Sequence, residues 1–193
     1  MTATLTDTPQ QSPAPRKPRK IFLVVGTILA VALGVGLFTS LGTTKTSGAP
    51  HVGGPVPSFT ASRLNGSGSV NVPSNGTATV LLFFGNWCTV CHAELPPIAA
   101  AVRSGSTGHG PLRRVRVIGV DSEDSPASAK GFIHRTGITF PVAYDPNLSI
   151  TSGDFYFQGD PYAVFVNPDG TIERIVAGPL SVATFTTDAR DLS

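Results

Sequence analysis

Phe83-Phe84-Gly85-Asn86-Trp87-Cys88-Thr89-Val90-Cys91-His92-Ala93-Glu94-Leu95-Pro96-Pro97 holds both cysteines of the chain, separated by two residues. An apolar run of β type, Ala78 to Phe84, leads in, and a helix-compatible run, His92 to Val102, leads out. A strand that ends in a short loop and then opens a helix puts Cys88 at a helix N-terminus. Unpaired backbone N–H groups and the positive end of the helix dipole there favour a thiolate over a thiol. Cys91, one turn further in, is close enough to form a disulfide with Cys88, so the stretch reads as a redox switch. The same residues, Cys88-x-x-Cys91-His92, also spell a c-type haem attachment site. A structural disulfide is a weaker reading, because so small a loop constrains little of the unfolded chain.

Working outward, the composition allows one domain with appendages: 193 residues, 40% of them apolar and only 13% charged. The net charge of +2 is unevenly placed. Arg16, Lys17, Arg19 and Lys20 precede an uncharged run from Ile21 to Leu41, whereas from residue 42 onward ten Lys and Arg face eleven Asp and Glu. A nucleic-acid partner is excluded, since the domain offers no basic surface for one.

The uncharged run spans roughly 30 Å as a helix, one hydrocarbon thickness. It is longer than the apolar core of a secretory signal, and Gly42 to Ala49 carries no small-residue cleavage pattern. The expectation is an uncleaved transmembrane anchor. Four basic residues before the span and one, Lys45, soon after keep the N-terminus in the cytoplasm and place everything from residue 42 outside. Residues 1–20 read as a disordered basic cytoplasmic tail, 21–41 as the anchor in the lipid bilayer, and 42–54 as a flexible Gly/Thr/Ser linker.

From Pro55 onward the pattern is domain-like. Val56 to Phe59 and Val70 to Val72 are strand candidates about the turn Asn65-Gly66. Ala78 to Phe84 shows no alternation, as expected of a central strand buried on both faces. Pro96 and Pro97 should kink or reset the helix after the cysteines. Arg114 to Val120 is a strand, and Ser125-Pro126 caps a helix that Gly137 stops. Phe140 to Tyr144 is short and extended, Tyr162 to Asn167 and Thr171 to Val176 form a hairpin about Pro168-Asp169-Gly170, and Leu180 to Leu192 can close the chain as a helix. The order β-α-β-α-β-β-α, after an N-terminal strand pair, implies an α/β fold with a central mixed sheet flanked by helices.

With both ends of the pattern in view, the chain resembles the thioredoxin superfamily, and within it the membrane-anchored thiol–disulfide oxidoreductases of the TlpA and ResA type. The resemblance rests on Trp87-Cys88-x-x-Cys91, Glu94-Leu95-Pro96, Ile138-Thr139-Phe140-Pro141-Val142, and Gly159-Asp160-Pro161 ahead of a strand. It implies that residues 55–193 are an extracytoplasmic thioredoxin-like domain with a redox-active Cys88–Cys91 disulfide. Cys88 would be the attacking thiol, Cys91 the resolving one, and Glu94 the buried acid that handles a proton. Trp87, Asp160 and Pro161 would form the substrate-binding surface, with Pro161 as the cis-proline. The family more often has an uncharged residue where Asp160 stands, and a charge there, if it faces Cys88, disfavours the thiolate. Leu82 stands where thioredoxin itself has a buried aspartate.

The resemblance further implies client proteins bearing thiols or disulfides, apocytochrome c among them, and a membrane electron donor or acceptor for recycling, with no cofactor and no metal. Asp160 tilts the expected direction toward reduction, with disulfide formation in secreted proteins as the alternative. A haem-binding electron carrier and a copper-delivery module are alternatives of another class. A peroxiredoxin would place Thr or Ser three residues before Cys88, where Gly85 stands.

Overall fold

The computed structural model describes residues 48–74, 76–107 and 110–192. The expected tail, the anchor 21–41 and residues 42–47 of the linker lie outside the described residues. Among the described residues no helix is long and apolar enough to cross a membrane.

The domain is built on a five-stranded mixed sheet in the order β5-β4-β3-β6-β7. Its strands are β3 (Ala78–Phe84), β4 (Val115–Ser122), β5 (Val142–Asp145), β6 (Tyr162–Val166) and β7 (Ile172–Ala177). The central strand β3 is buried along its whole length, which explains its unbroken apolar sequence. It pairs parallel with β4 and antiparallel with β6. A separate antiparallel pair, β1 (Phe59–Ser62) and β2 (Ser69–Val72), precedes the sheet. The first strand therefore begins where the expected Val56–Phe59 strand ends. Pro55 and Pro57 have no N–H to donate, and this segment makes only an isolated bridge from Pro55 to Thr171. The short extended segment after Phe140 adds a fifth strand, absent from the expected order, and it closes one edge of the sheet.

Helix α1 (Thr89–Gly105) links β3 to β4, α2 (Pro126–Thr136) links β4 to β5, and α3 (Val182–Arg190) ends the domain. Both crossovers step in the same direction across the sheet, so right-handed connections put α1 and α2 on the same face. The core on that face joins Phe84, Cys88, Cys91, Leu95, Phe132 and Phe185, drawn from β3 and from all three helices. The opposite face is covered by β1, β2 and a π-helical turn, Ser149–Asp154, around Phe59, Phe83, Phe155 and Phe157. The sequence pattern gave no sign of this turn. It forms because the Asp145 carboxylate accepts hydrogen bonds from Ser149 Oγ and from the backbone N–H groups of Ile150 and Thr151.

Pro96 and Pro97 do not end α1, which runs through both for 17 residues. Burial of Leu95, Ile98, Ala99 and Val102 along one stripe holds the helix together across the missing hydrogen bonds. Helix α2 begins and ends as its sequence implies: Ser125 Oγ accepts from the Ser128 N–H, Pro126 opens the first turn, and Gly137 takes the left-handed conformation at φ 69°.

Candidate active site

The dithiol loop is where β3 leaves the sheet. Cys88 is the N-cap of α1 in extended conformation, and its Sγ accepts the Cys91 N–H at 3.2 Å. The two sulfurs are joined in a disulfide. When that bond is reduced, the same N–H and the free end of the helix dipole lie against the Cys88 sulfur and favour its thiolate. The two cysteines are unequal, as an attacking and a resolving thiol should be. Cys91 has no exposed surface, Cys88 retains 4%, and the neighbouring Trp87 is 48% exposed.

Trp87 is fixed rather than free. Its indole Nε1 donates to the carbonyl of Ser122 at the end of β4, at 2.9 Å, and its ring covers Gly85, where a Cβ would collide with it. Gly85 is thus the space that the indole occupies, and it leaves no room for the hydroxyl that a peroxiredoxin would carry there.

Asn86 ties the loop to three other elements. Its backbone N–H donates to Asp124 Oδ2 at 2.6 Å, and its Nδ2 donates to Ser128 Oγ at 3.0 Å. Arg135 Nη2 donates to its Oδ1 at 2.7 Å, and His92 Nε2 lies 2.7 Å from its carbonyl oxygen. Ser128 Oγ in turn donates to Asp124 Oδ1. Of these residues only His92 was singled out in the sequence, and there as a haem ligand. Its ring nitrogen is taken by a main-chain carbonyl and its ring edge packs on Phe132. With the Cys91 sulfur sealed in the core, the loop does not fit thioether attachment of a haem. Among the described residues no group of three or more His, Cys, Asp or Glu is arranged to hold a metal ion.

Glu94, one helical turn after Cys91, is half-buried and accepts the Leu180 N–H at 2.8 Å, at the entry to α3. Burial raises its pKa above the ordinary glutamate value, against the opposing hydrogen bond from Leu180. Pro161 follows Asp160 through a cis peptide bond, in the conformation that the resemblance implies. The carboxyl oxygens of Asp160 are buried and accept no hydrogen bond of good geometry. Burial pushes its pKa up to about 7, the Ser122 hydroxyl nearby opposes the shift, and the charges of Asp145, Asp124 and Glu123 add to it.

One acid in this region escaped the sequence reading altogether. Asp121 stands beside Phe84 in the β3–β4 register, has no exposed surface, and receives no N–H or hydroxyl hydrogen bond on either oxygen. Its pKa is pushed up to about 8, first by burial and then by the charges of Asp124 and Asp160. The available signal was the unbroken polar run Asp121-Ser122-Glu123-Asp124 directly after a strand. It reads equally well as the approach to the capped helix that follows.

A mixed sheet bearing a Cys-x-x-Cys at the end of its central strand, with a cis-proline loop leading into the neighbouring strand, matches known proteins closely. The AhpC/TSA family model matches residues 52–175. The chain belongs to the AhpC/TSA family. The thiol-disulfide oxidoreductase ResA of Bacillus subtilis (strain 168) is 24% identical over 168 residues, covering 86% of this chain and 89% of that protein. The sporulation thiol-disulfide oxidoreductase A of the same organism is 26% identical over 112 residues, 58% of this chain and 66% of its own length. Among solved structures, MTB DsbF in its mixed oxidised and reduced forms superposes with a TM-score of 0.61 at 26% identity, over 70% of this chain and 95% of that one. A thioredoxin-family thiol:disulfide interchange protein from Chlorobium tepidum gives 0.62 at 22% identity, over 75% and 99%. The fold is thioredoxin-like, and the protein is a thiol–disulfide oxidoreductase with Cys88 and Cys91 as its cysteine pair.

Proposed function

We propose that this AhpC/TSA-family member is a membrane-anchored, extracytoplasmic reductase of client-protein disulfides, of the kind that serves cytochrome c maturation. In the reductive direction the Cys88 thiolate attacks a client disulfide sulfur and expels one client thiolate. Cys91 loses its proton, attacks Cys88 Sγ, and releases the second client thiol, leaving the Cys88–Cys91 disulfide. Glu94, half-buried beyond Cys91 with a raised pKa, is the group that takes that proton. Trp87 and the Asp160–Pro161 loop bracket the point of attack and receive the client backbone. A membrane electron donor then re-reduces the pair.

The observation that carries the direction is the charge at this end of the domain. Asp160 and Asp121 are both buried without good donors, and no cation lies between Cys88 and Cys91. As these carboxyls ionise, they disfavour the thiolate, and a pair whose reduced form is less stabilised is the stronger reductant. One backbone N–H on Cys88 Sγ works in the opposite sense but carries no full charge. Equilibrium titration against glutathione and a lower-potential dithiol tests the direction, and a potential above about −150 mV assigns the protein to disulfide formation instead. Cys91→Ser should accumulate a mixed disulfide on Cys88. Recovery of apocytochrome c in that adduct supports the maturation role, and recovery of secreted proteins alone refutes it. The run 21–41 supports the anchor and the four basic residues before it support the orientation. Protease protection of residues 1–20 in sealed vesicles, with the dithiol reachable from outside, is the expected result.

A further inference from the structure

The dithiol mechanism leaves one buried titratable group unused. Along β4 the side chains alternate, with Val117 in the helix-side core and Ile118 and Val120 in the opposite one. Asp121 therefore faces the helix side, the layer that contains Phe84, Cys88 and Cys91. No N–H or hydroxyl reaches its oxygens. The carboxyl that acts on it from nearby is that of Asp124, whose charge and side-chain interaction both raise the Asp121 pKa. Two carboxylates cannot bond to one another without a proton between them. Asp124 already takes the Asn86 N–H on Oδ2 and the Ser128 hydroxyl on Oδ1. Asp121, with no donor on either oxygen, is the member that carries the proton.

We propose that Asp121 is a positioning residue of the dithiol: protonated, it donates to Asp124 and so steadies the acceptor that holds the Asn86 N–H two residues before Cys88. Loss of that proton to solvent adds a negative charge behind the redox loop and sets two carboxylates against each other at the loop's anchor. Both effects disfavour the Cys88 thiolate. The titration lies within reach of neutral pH, since burial and the neighbouring acids push Asp121 up to about 8.

The charged and titratable groups around it come from every adjoining element. Asp124 and Glu123 lie in its own loop, Asp145 ends β5, and Asp160 precedes β6. Tyr144 of β5 donates its hydroxyl to the Asp124 carbonyl, and His92 of α1 and Arg135 of α2 meet the network at Asn86. Four acids stand against the one guanidinium of Arg135, so the added charge is offset only in part. A metal ion is not the missing partner, because no set of ligands among the described residues is arranged to hold one.

This inference rests on the exchange chemistry of Cys88, and the test separates the two. The full-length protein, reduced with dithiothreitol, is alkylated with iodoacetamide from about pH 5 to about pH 10, and the rate at Cys88 is read by mass spectrometry. In the wild type the rate should rise over a broader pH span than one ionisation allows, because two coupled groups titrate. Asp121→Asn, which keeps the shape and removes the charge, should narrow the curve to one ionisation and speed alkylation at pH 8 about threefold or more. Superimposable curves from two folded proteins would overturn the inference while leaving the exchange reaction intact. A Cys88 that alkylates no faster than a free solvent-exposed cysteine in both proteins, with no dithiothreitol-reducible bond, removes the exchange reading itself. Should Asp121→Asn not fold, carbon-13 titration of the aspartate carboxyls in the unaltered protein decides. Comparison with Asp160→Asn removes the other raised carboxyl: an aspartate that still titrates above about pH 6 in that protein upholds the proposal, and none above it overturns it.

Discussion

The two ends of the central sheet differ in charge as sharply as they differ in chemistry. The end of the sheet where β3 leads into the disulfide loop also carries Asp121, Glu123, Asp124 and Asp160, with Asp145 at the end of β5. At the N-terminal ends, Arg113, Arg114 and Arg116 line an open cavity of about 660 Å³ with Gly76, Pro168 and Leu192. The ends are about 23 Å apart along β4, at roughly 3.3 Å per residue. That exceeds the screening length of about 8 Å at physiological ionic strength, so neither end feels the other's charge strongly. A domain of nearly balanced charge thus gathers its acids at the end of the sheet that bears the dithiol loop. What matters for the sulfur is the set of charges within its own unscreened reach, which a net charge cannot report.

The largest effect expected at the dithiol end is that of Glu94→Gln. Glutamine can still accept the Leu180 N–H, so the fold should persist, while disulfide exchange slows about a hundredfold, the lower range for loss of a positioned proton acceptor. Stopped-flow reduction of a model disulfide measures it, and an unchanged rate removes Glu94 from the chemistry. Asp160→Asn comes next. Removing this buried charge should stabilise the Cys88 thiolate and move the exchange constant with glutathione about tenfold toward oxidising character, about 30 mV for two electrons. A shift the other way would break the link between acidity and direction.

Stability against pH gives a smaller and distinct signature. Asp121 and Asp160 have folded pKa values near 8 and 7, above the 3.8 of an ordinary aspartate. Between about pH 4 and those values the folded state holds protons that the unfolded chain has released. Stability should therefore fall as pH rises through that window, by at most about 1.4 kcal/mol per pH unit for each proton, and level off above it. Denaturant unfolding of the oxidised protein at a series of pH values should show this decline. Asp121→Asn should flatten it. At the far end, Arg113→Gln with Arg114→Gln should leave Cys88 alkylation within about twofold of the wild type. A larger change would mean that the two ends communicate.

Much of the fold was legible because its signals are local. The uniformly apolar run Ala78 to Phe84 was a buried central strand, and Ser125-Pro126 with Gly137 bounded a helix almost to the residue. What local signals could not show arose where distant partners act. The helix after the cysteines holds Pro96 and Pro97 inside it, as the sequence implies, and runs on without a reset because α1 buries a continuous stripe, while the π-helical turn exists because Asp145 supplies the acceptors.

The active site divides along the same line. Cys88, Cys91, Trp87, Glu94 and the Asp160–Pro161 pair stand out in sequence because their spacing and order are short-range patterns. Asn86, Ser122, Ser128, Arg135 and the Asp121–Asp124 pair do not, since what gives them a part is contact between segments tens of residues apart. By itself the chain of residues determined that two thiols would meet at the mouth of a helix. The tertiary structure alone decided which carboxyls are stripped of water beside them, because desolvation depends on everything that packs around a group and on nothing within it.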